Sequence, residues 1–238
     1  MFKKILVSIF AFLMTYPVIA CDLSKESKKL IEIETNKLLG NAPTFKHAFE
    51  DKAIKVNLSN AIADQGYCVA TLVLTLPQLD LDEASRYLDA NPAKKILLGA
   101  QGYAIPEKTI NEVLYRYQLI NGAPQPMVAE NVELKSLYNN IEYTYQLLAQ
   151  LRISIEELPK NTISWSYDET KREFLSCMKD KVYSEAQCNC RVKKLSDSLS
   201  PRKMELINFI QSQPYSVATG AMNSYLQFSK NINESCSK

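Results

Sequence analysis

The spacing Cys177-x10-Cys188-x-Cys190 constrains the fold more than any other feature of this sequence. Bridged cysteines need their Cα atoms within about 4.4–6.8 Å, so the elements that carry them have few relative placements open to them. Residues 167–181 and 184–196 read as two helices, and Ser184 with Gln187 three residues later forms a capping box that starts the second. In an antiparallel hairpin centred near Val182, Cys177 and Cys188 lie almost level. Cys190 is rotated by about 200° from Cys188 and faces elsewhere. The expected bridges are Cys177 with Cys188 and Cys190 with Cys236, which leaves Cys21 with Cys68 by elimination. A metal site built from Cys177, Cys188, Cys190 and Cys236 is a weaker reading, because structural zinc sites favour C-x2-4-C spacings and oxidised thiols bind no metal. A redox catalyst would want C-x-x-C at a helix start.

The other end of the chain points to an oxidising destination. Met1-Phe2-Lys3-Lys4 is followed by an uncharged run from Ile5 to Tyr16 and then by Val18-Ile19-Ala20-Cys21, the layout of a secretory signal peptide over residues 1–20. The run is too short to span a bilayer. Cleavage after Ala20 leaves an even set of six cysteines, suited to an exported, disulfide-bonded protein. Ala20-Cys21 also fits lipoprotein processing, in which Cys21 is acylated and one of the five other cysteines is stranded. Parity favours the unlipidated form, with lipidation at Cys21 as the alternative. Loss of Lys3 and Lys4 with the leader turns 28 basic and 26 acidic residues into an even balance. Lys28-Lys29 and Arg191 to Lys194 are too short for a nucleic-acid stripe or a polybasic membrane patch, and read as solvated helix faces.

Six glycines in 238 residues argue against strands and turns throughout. The fold class expected is mainly α, a disulfide-stapled helical domain with a minor β element in the N-terminal half. Residues 23–39 form an amphipathic opening helix stopped by Gly40. Ile54, Val56 and Leu58 alternate with polar residues and Cys68 to Leu76 is β-branched and apolar, which predicts a short antiparallel pair. Helices are expected over 80–91 and from Pro106 to Ile120, and an apolar, buried segment from Lys94 to Ala100. Asn121-Gly122-Ala123-Pro124-Gln125-Pro126 reads as a linker between a 21–122 α+β lobe and a 127–238 helical lobe. Beyond it, Leu134, Leu137, Ile141, Thr144, Leu148, Leu151 and Ile155 make one seam of a long core helix. Further helices are expected over 200–212 and 216–229, with Gly220 and Ser224 four apart on the last.

Chemistry is sparse. His47 is the only histidine, no nucleophile motif points to it, and it reads as an exposed helix residue. Asp80, Asp82 and Glu83 are the only local candidates for carboxylate hydrolysis, although acids at a helix start are accounted for by its dipole. Gly99, Gly102 and Tyr103 either let a ligand approach the backbone or end the buried segment, and the second is favoured. Tyr138, Tyr143 and Tyr145 share one expected helix and Tyr115 and Tyr117 another, a mild sign of a binding surface. No cofactor or metal is implied. The expectation is an exported, bacterial periplasmic binding protein whose partner is an envelope protein or other macromolecule, such as a toxin or enzyme it restrains. No nucleic-acid partner is expected, and a membrane only if Cys21 is acylated. The alternatives are an envelope hydrolase and a tethered structural lipoprotein.

Overall fold

The computed structural model describes residues 21–39, 42–64, 66–127, 131–153, 163–179, 181–212 and 219–237. Residues 1–20, Gly40 and Ile155 lie outside them, as do the surroundings of Gly220. Among the described residues the chain is mainly helical, with nine helices, one four-stranded sheet in the N-terminal half and three disulfides.

Helices α1 (Leu23–Leu39) and α2 (Pro43–Glu50) precede the hairpin β1 (Lys55–Asp64) and β2 (Tyr67–Thr75). Helices α3 (Gln78–Ala90) and α4 (Pro92–Ala100) come next, then β3 (Ile110–Ile120) and β4 (Ala123–Pro126). The sheet is antiparallel in the order β1-β2-β3-β4. Alternation along β2 turns Cys68, Ala70, Leu72 and Leu74 into the core. That face packs in one cluster with Leu30 and Leu38 of α1, Phe45 of α2 and Leu134, Ile141 and Leu148 of α5 (Val132–Arg152). The long helix predicted for the second lobe thus buries its seam in the core of the sheet half.

Two segments differ from the sequence expectation. Pro106 to Ile120 is not a helix: Val113, Tyr115, Tyr117 and Leu119 alternate toward the core as β3, and so Tyr115 and Tyr117 sit on a strand. The run from Asn121 to Pro126 is not a linker but a hairpin. Asn121 and Gly122 both take positive φ, 52° and 76°, as a two-residue turn of the hairpin type requires. Pro124 and Pro126 are tolerated because β4 is a short edge strand.

The buried acids of this core, Glu26 and Glu34, are paired. Glu34, fully buried, accepts hydrogen bonds from the hydroxyls of Tyr115 (2.7 Å) and Tyr138 (2.6 Å) and from Lys37. Tyr117 donates to Glu26 at 2.7 Å. Burial raises the Tyr115 and Tyr138 hydroxyl pKa values, and the Glu34 charge raises them further. These tyrosines are core residues that satisfy buried acids.

The C-terminal helices are α6 (Tyr167–Lys179), α7 (Glu185–Ser198), α8 (Pro201–Ser212) and α9 (Thr219–Cys236). Ser184 and Gln187 make the expected capping box. Cys177–Cys188 joins α6 to α7, Cys190–Cys236 joins α7 to α9, and Cys21–Cys68 ties the start of α1 to β2, each with Cα atoms 5.8 Å apart. This is the pairing that the hairpin geometry suggests. Helix α9 continues past the expected end at 229 because Ile232 packs with Leu195, Leu199, Met204, Ile207 and Tyr225, and Cys236 must reach α7. Arg191 and Lys194 are not merely solvated: they donate to Asn233 and Ser235 of α9.

Candidate binding groove

The residues suspected of chemistry from the sequence fall into two places, and both are held by internal bonds. On α3, Asp80 Oδ2 accepts from the Tyr145 hydroxyl at 2.9 Å, and Arg152 Nη2 reaches both Asp80 Oδ1 and Glu83 Oε2 at 2.6 Å. Arg152 Nε adds a bond to Glu83 at 3.1 Å. Asp80 is buried, and burial followed by its charge raises the pKa of Tyr145. Asp82 is elsewhere, exposed and accepting from Gln78 at 2.7 Å. The structure therefore unites Asp80 and Glu83 under one guanidinium and leaves Asp82 apart. The helix dipole is an incomplete account of Asp80, whose partners come from α5.

His47 is a correction to the sequence reading. Its side chain is only 12% exposed, and Nε2 lies 2.8 Å from Glu205 Oε2, while Lys46 Nζ is 2.9 Å from Oε1 of the same carboxylate. The His47 hydrogen bond and then the Lys46 contacts bring the Glu205 pKa down to about 2. Beside them Arg202 bridges Glu50 and Asp51, so α2 and α8 are joined by a seam of ion pairs along a cleft of 420 Å³. The hydroxyl lining that cleft belongs to Ser200 and accepts from the Lys203 N–H at 3.2 Å as a helix cap. The imidazole thus faces a carboxylate, and the neighbouring hydroxyl is occupied in holding α8.

A different place is open. Helices α3, α4 and α5 and the loop 101–107 enclose a groove of 410 Å³ walled by Leu88, Leu98, Tyr103, Ile105 and Tyr143. Its geometry begins with the end of α4. The Gly102 N–H donates to the Gly99 carbonyl and the Tyr103 N–H to the Leu98 carbonyl, both at 3.0 Å, and Gly102 has φ 80°. That is a Schellman stop, which accounts for Gly102 by its left-handed backbone. It delivers Tyr103 onto Tyr143, with ring centroids 5.4 Å apart and planes within 20°. The Ala104 N–H then donates to Asn140 Oδ1 at 3.0 Å and pins the loop to α5.

Gly99 has no such explanation. Its φ is ordinary for a helix, and a Cβ added there would meet nothing within 4 Å. A glycine inside a helix costs roughly 0.5–1 kcal/mol relative to alanine, and here neither packing nor backbone requires it. It leaves the groove wall bare at one point. The rim carries the Lys95–Asp89 ion pair at 2.7 Å and the acid Glu107. Burial, with a smaller contribution from Tyr87, pushes the Tyr143 hydroxyl up to about 12, so it remains a neutral donor at ordinary pH. On the outside of α4, Ile96 and Leu97 are exposed, the former by 73%. The expected buried segment from Lys94 to Ala100 is thus a mostly exposed helix in which Leu98 faces inward.

Sequence reasoning noticed Gly99, Gly102 and Tyr103 but not Tyr143 as their partner, because the ring stack joins a loop to a distant helix. The available signal was the surplus of two glycines so close together where one suffices to end a helix. No protein-family model matches the chain, and neither does any curated protein or solved structure.

Proposed function

We propose that the chain is an exported binding protein of a bacterial envelope, which holds an apolar or aromatic segment of another macromolecule in the groove between Tyr103, Tyr143 and α4. The observation that carries this reading is Gly99, a glycine in the last turn of α4 with open space where its side chain would be, set in a wall of apolar and aromatic residues. Tyrosine suits such a surface because it offers wide apolar contact with a polar tip. Three disulfides fit an oxidising compartment. Among the described residues no helix is long and apolar enough to cross a membrane. The partner is an envelope protein, or a toxin or enzyme held in check.

Two other readings have less support. A hydrolase using Asp80, Asp82 and Glu83 would need a carboxyl free to give or take a proton, whereas Asp80 and Glu83 neutralise Arg152. Acylation needs the Cys21 sulfur that the bridge to Cys68 uses, and Cys21→Ser should leave membrane association unchanged.

The test places a photo-crosslinking residue at Glu107, on the rim of the groove, and exposes the exported protein in its own envelope. A discrete adduct that competes with excess unlabelled protein and disappears in Gly99→Leu supports the reading. An adduct indifferent to Gly99→Leu counts against it.

A further inference from the structure

The outer face of the sheet shows a second surface, independent of the groove. Helices α1 and α5 pack on the inner face, and opposite to it Leu114 is 57% and Ile62 63% exposed. Ile62 is turned outward by an irregularity. Val56 and Leu58 set the inward phase of β1, and continuing that phase would bury Ile62. Instead the register shifts between Ser59 and Ile62, with Asn60 in the left-handed region at φ 56°, so that Ile62 pairs with Val69 on the outer face. A β-bulge re-aims a side chain at some cost in pairing, and this one delivers a large apolar group to the surface.

The outer face also has a symmetric order of charge. Ser59, Thr71 and Leu114 form its central row. On one side of that row lie Val73 and Glu112, and on the other Val69 and Arg116. At the two ends of β1, Lys55 and Asp64 balance in the same way. We propose that this face binds a second copy of the chain, about a twofold axis that lies between the two sheets, perpendicular to the strands and over the central row. That axis sets Leu114 against Leu114 and Val69 against Val73. It also brings Glu112 to the second copy's Arg116, and Lys55 to the second copy's Asp64, each pair occurring twice. Only a self-complementary patch satisfies a twofold axis in this way. Two sheets packed face to face at about 10 Å are the arrangement of a β-sandwich. About that axis β4 has no counterpart, so the overlap is three strands about nine residues long at about 4.8 Å spacing, roughly 450 Å² per copy. The sum for two copies, roughly 900 Å², lies just below the roughly 1,000 Å² of a stable specific interface, and implies a weak dimer.

Sedimentation equilibrium of the disulfide-bonded chain 21–238 over a range of concentrations tests the proposal. A monomer–dimer equilibrium is expected, weakened about tenfold or more by Glu112→Arg and restored by adding Arg116→Glu, since the double exchange recreates both cross-pairs. Leu114→Glu should give monomer with an unchanged far-ultraviolet circular dichroism spectrum. A chain that stays monomeric at every concentration overturns the proposal. So does a dimer that both Leu114→Glu and Ile62→Asp leave intact, and so does a folded single reversal that the second substitution fails to rescue.

Discussion

At the start of α3, Asp80 and Glu83 are closed beneath the Arg152 guanidinium and the Tyr145 hydroxyl, whereas about two turns further on the same helix offers Leu88 and Asp89 to an open groove. Both regions contain a tyrosine of α5, charged groups and glycine-free α3 backbone, and both looked like candidates for function from their residue types. The difference lies in what each group has left to do. Both Asp80 carboxylate oxygens and Glu83 Oε2 are spent on joining α3 to α5. In the second region the Tyr103–Tyr143 stack joins the loop to α5, but the missing side chain at Gly99 gives the fold nothing in return. A cluster of titratable groups is thus a poorer guide to function here than a residue whose cost has no structural return.

The comparison breaks most readily at Arg152. Arg152→Ala leaves Asp80 buried with its charge unpaired, and urea denaturation should show a loss of about 3–5 kcal/mol. A loss under about 1 kcal/mol would mean that the closed region is not holding the helices. The folded fraction of this variant should still form the Glu107 photo-adduct, because the groove does not use the guanidinium.

Alkaline titration comes next. Tyr145 and Tyr143 both have pKa values raised above their ordinary 10, Tyr143 to about 12 and Tyr145 further. The unfolded chain therefore releases these protons first, so their contribution to stability is complete below pH 10 and is lost as pH rises through the folded values. Absorbance at the phenolate band should show Tyr143 ionising from the native state and Tyr145 only on unfolding. Ionisation of both in the folded protein would remove the distinction between a closed and an open region.

An acid titration probes the seam between α2 and α8. The Glu205 pKa is depressed from 4.5 to about 2, which means that its contribution is present above about 4.5 and is lost as pH falls toward 2. Glu205→Gln should flatten the fall in melting temperature over that window. An unaltered acid limb would show that the His47 and Lys46 contacts with Glu205 do not hold the seam.

The smallest effect is at the groove itself. Gly99→Ala should stabilise the protein by about 0.5–1 kcal/mol, since alanine fits the helix and meets no neighbour. A destabilised Gly99→Ala protein would show that the glycine serves the fold after all.

The parts of the molecule legible in the sequence are those fixed by local pattern. The capping box at Ser184, the hairpin that levels Cys177 with Cys188, and the alternation from Cys68 to Leu74 each depend on residues a few positions apart. The sequence of β3 suits a helix equally well, because Leu114 and Ile110 face outward while Tyr115 and Tyr117 face inward and together they make an apolar run. Asn121-Gly122 carried the missing information, since it is a hairpin dipeptide, but Pro124 and Pro126 outweighed it until their place on an edge strand was known. The candidate site was half visible. Its glycines and Tyr103 are contiguous, whereas Tyr143 and Leu88 arrive through the packing of α3 on α5, and nothing local records that. His47 reads as exposed in the sequence for the same reason, its partner Glu205 being far along the chain.

The most direct test of the groove as the binding site is to compare the native protein with Gly99→Leu in the same two assays, urea denaturation and capture of the Glu107 photo-adduct. The expected result is stability within about 1 kcal/mol and a loss of capture of at least about tenfold, because leucine fills space that the fold does not use. Undiminished capture by a protein of unchanged stability would contradict the account, and would show that the open wall at Gly99 is not where a partner sits.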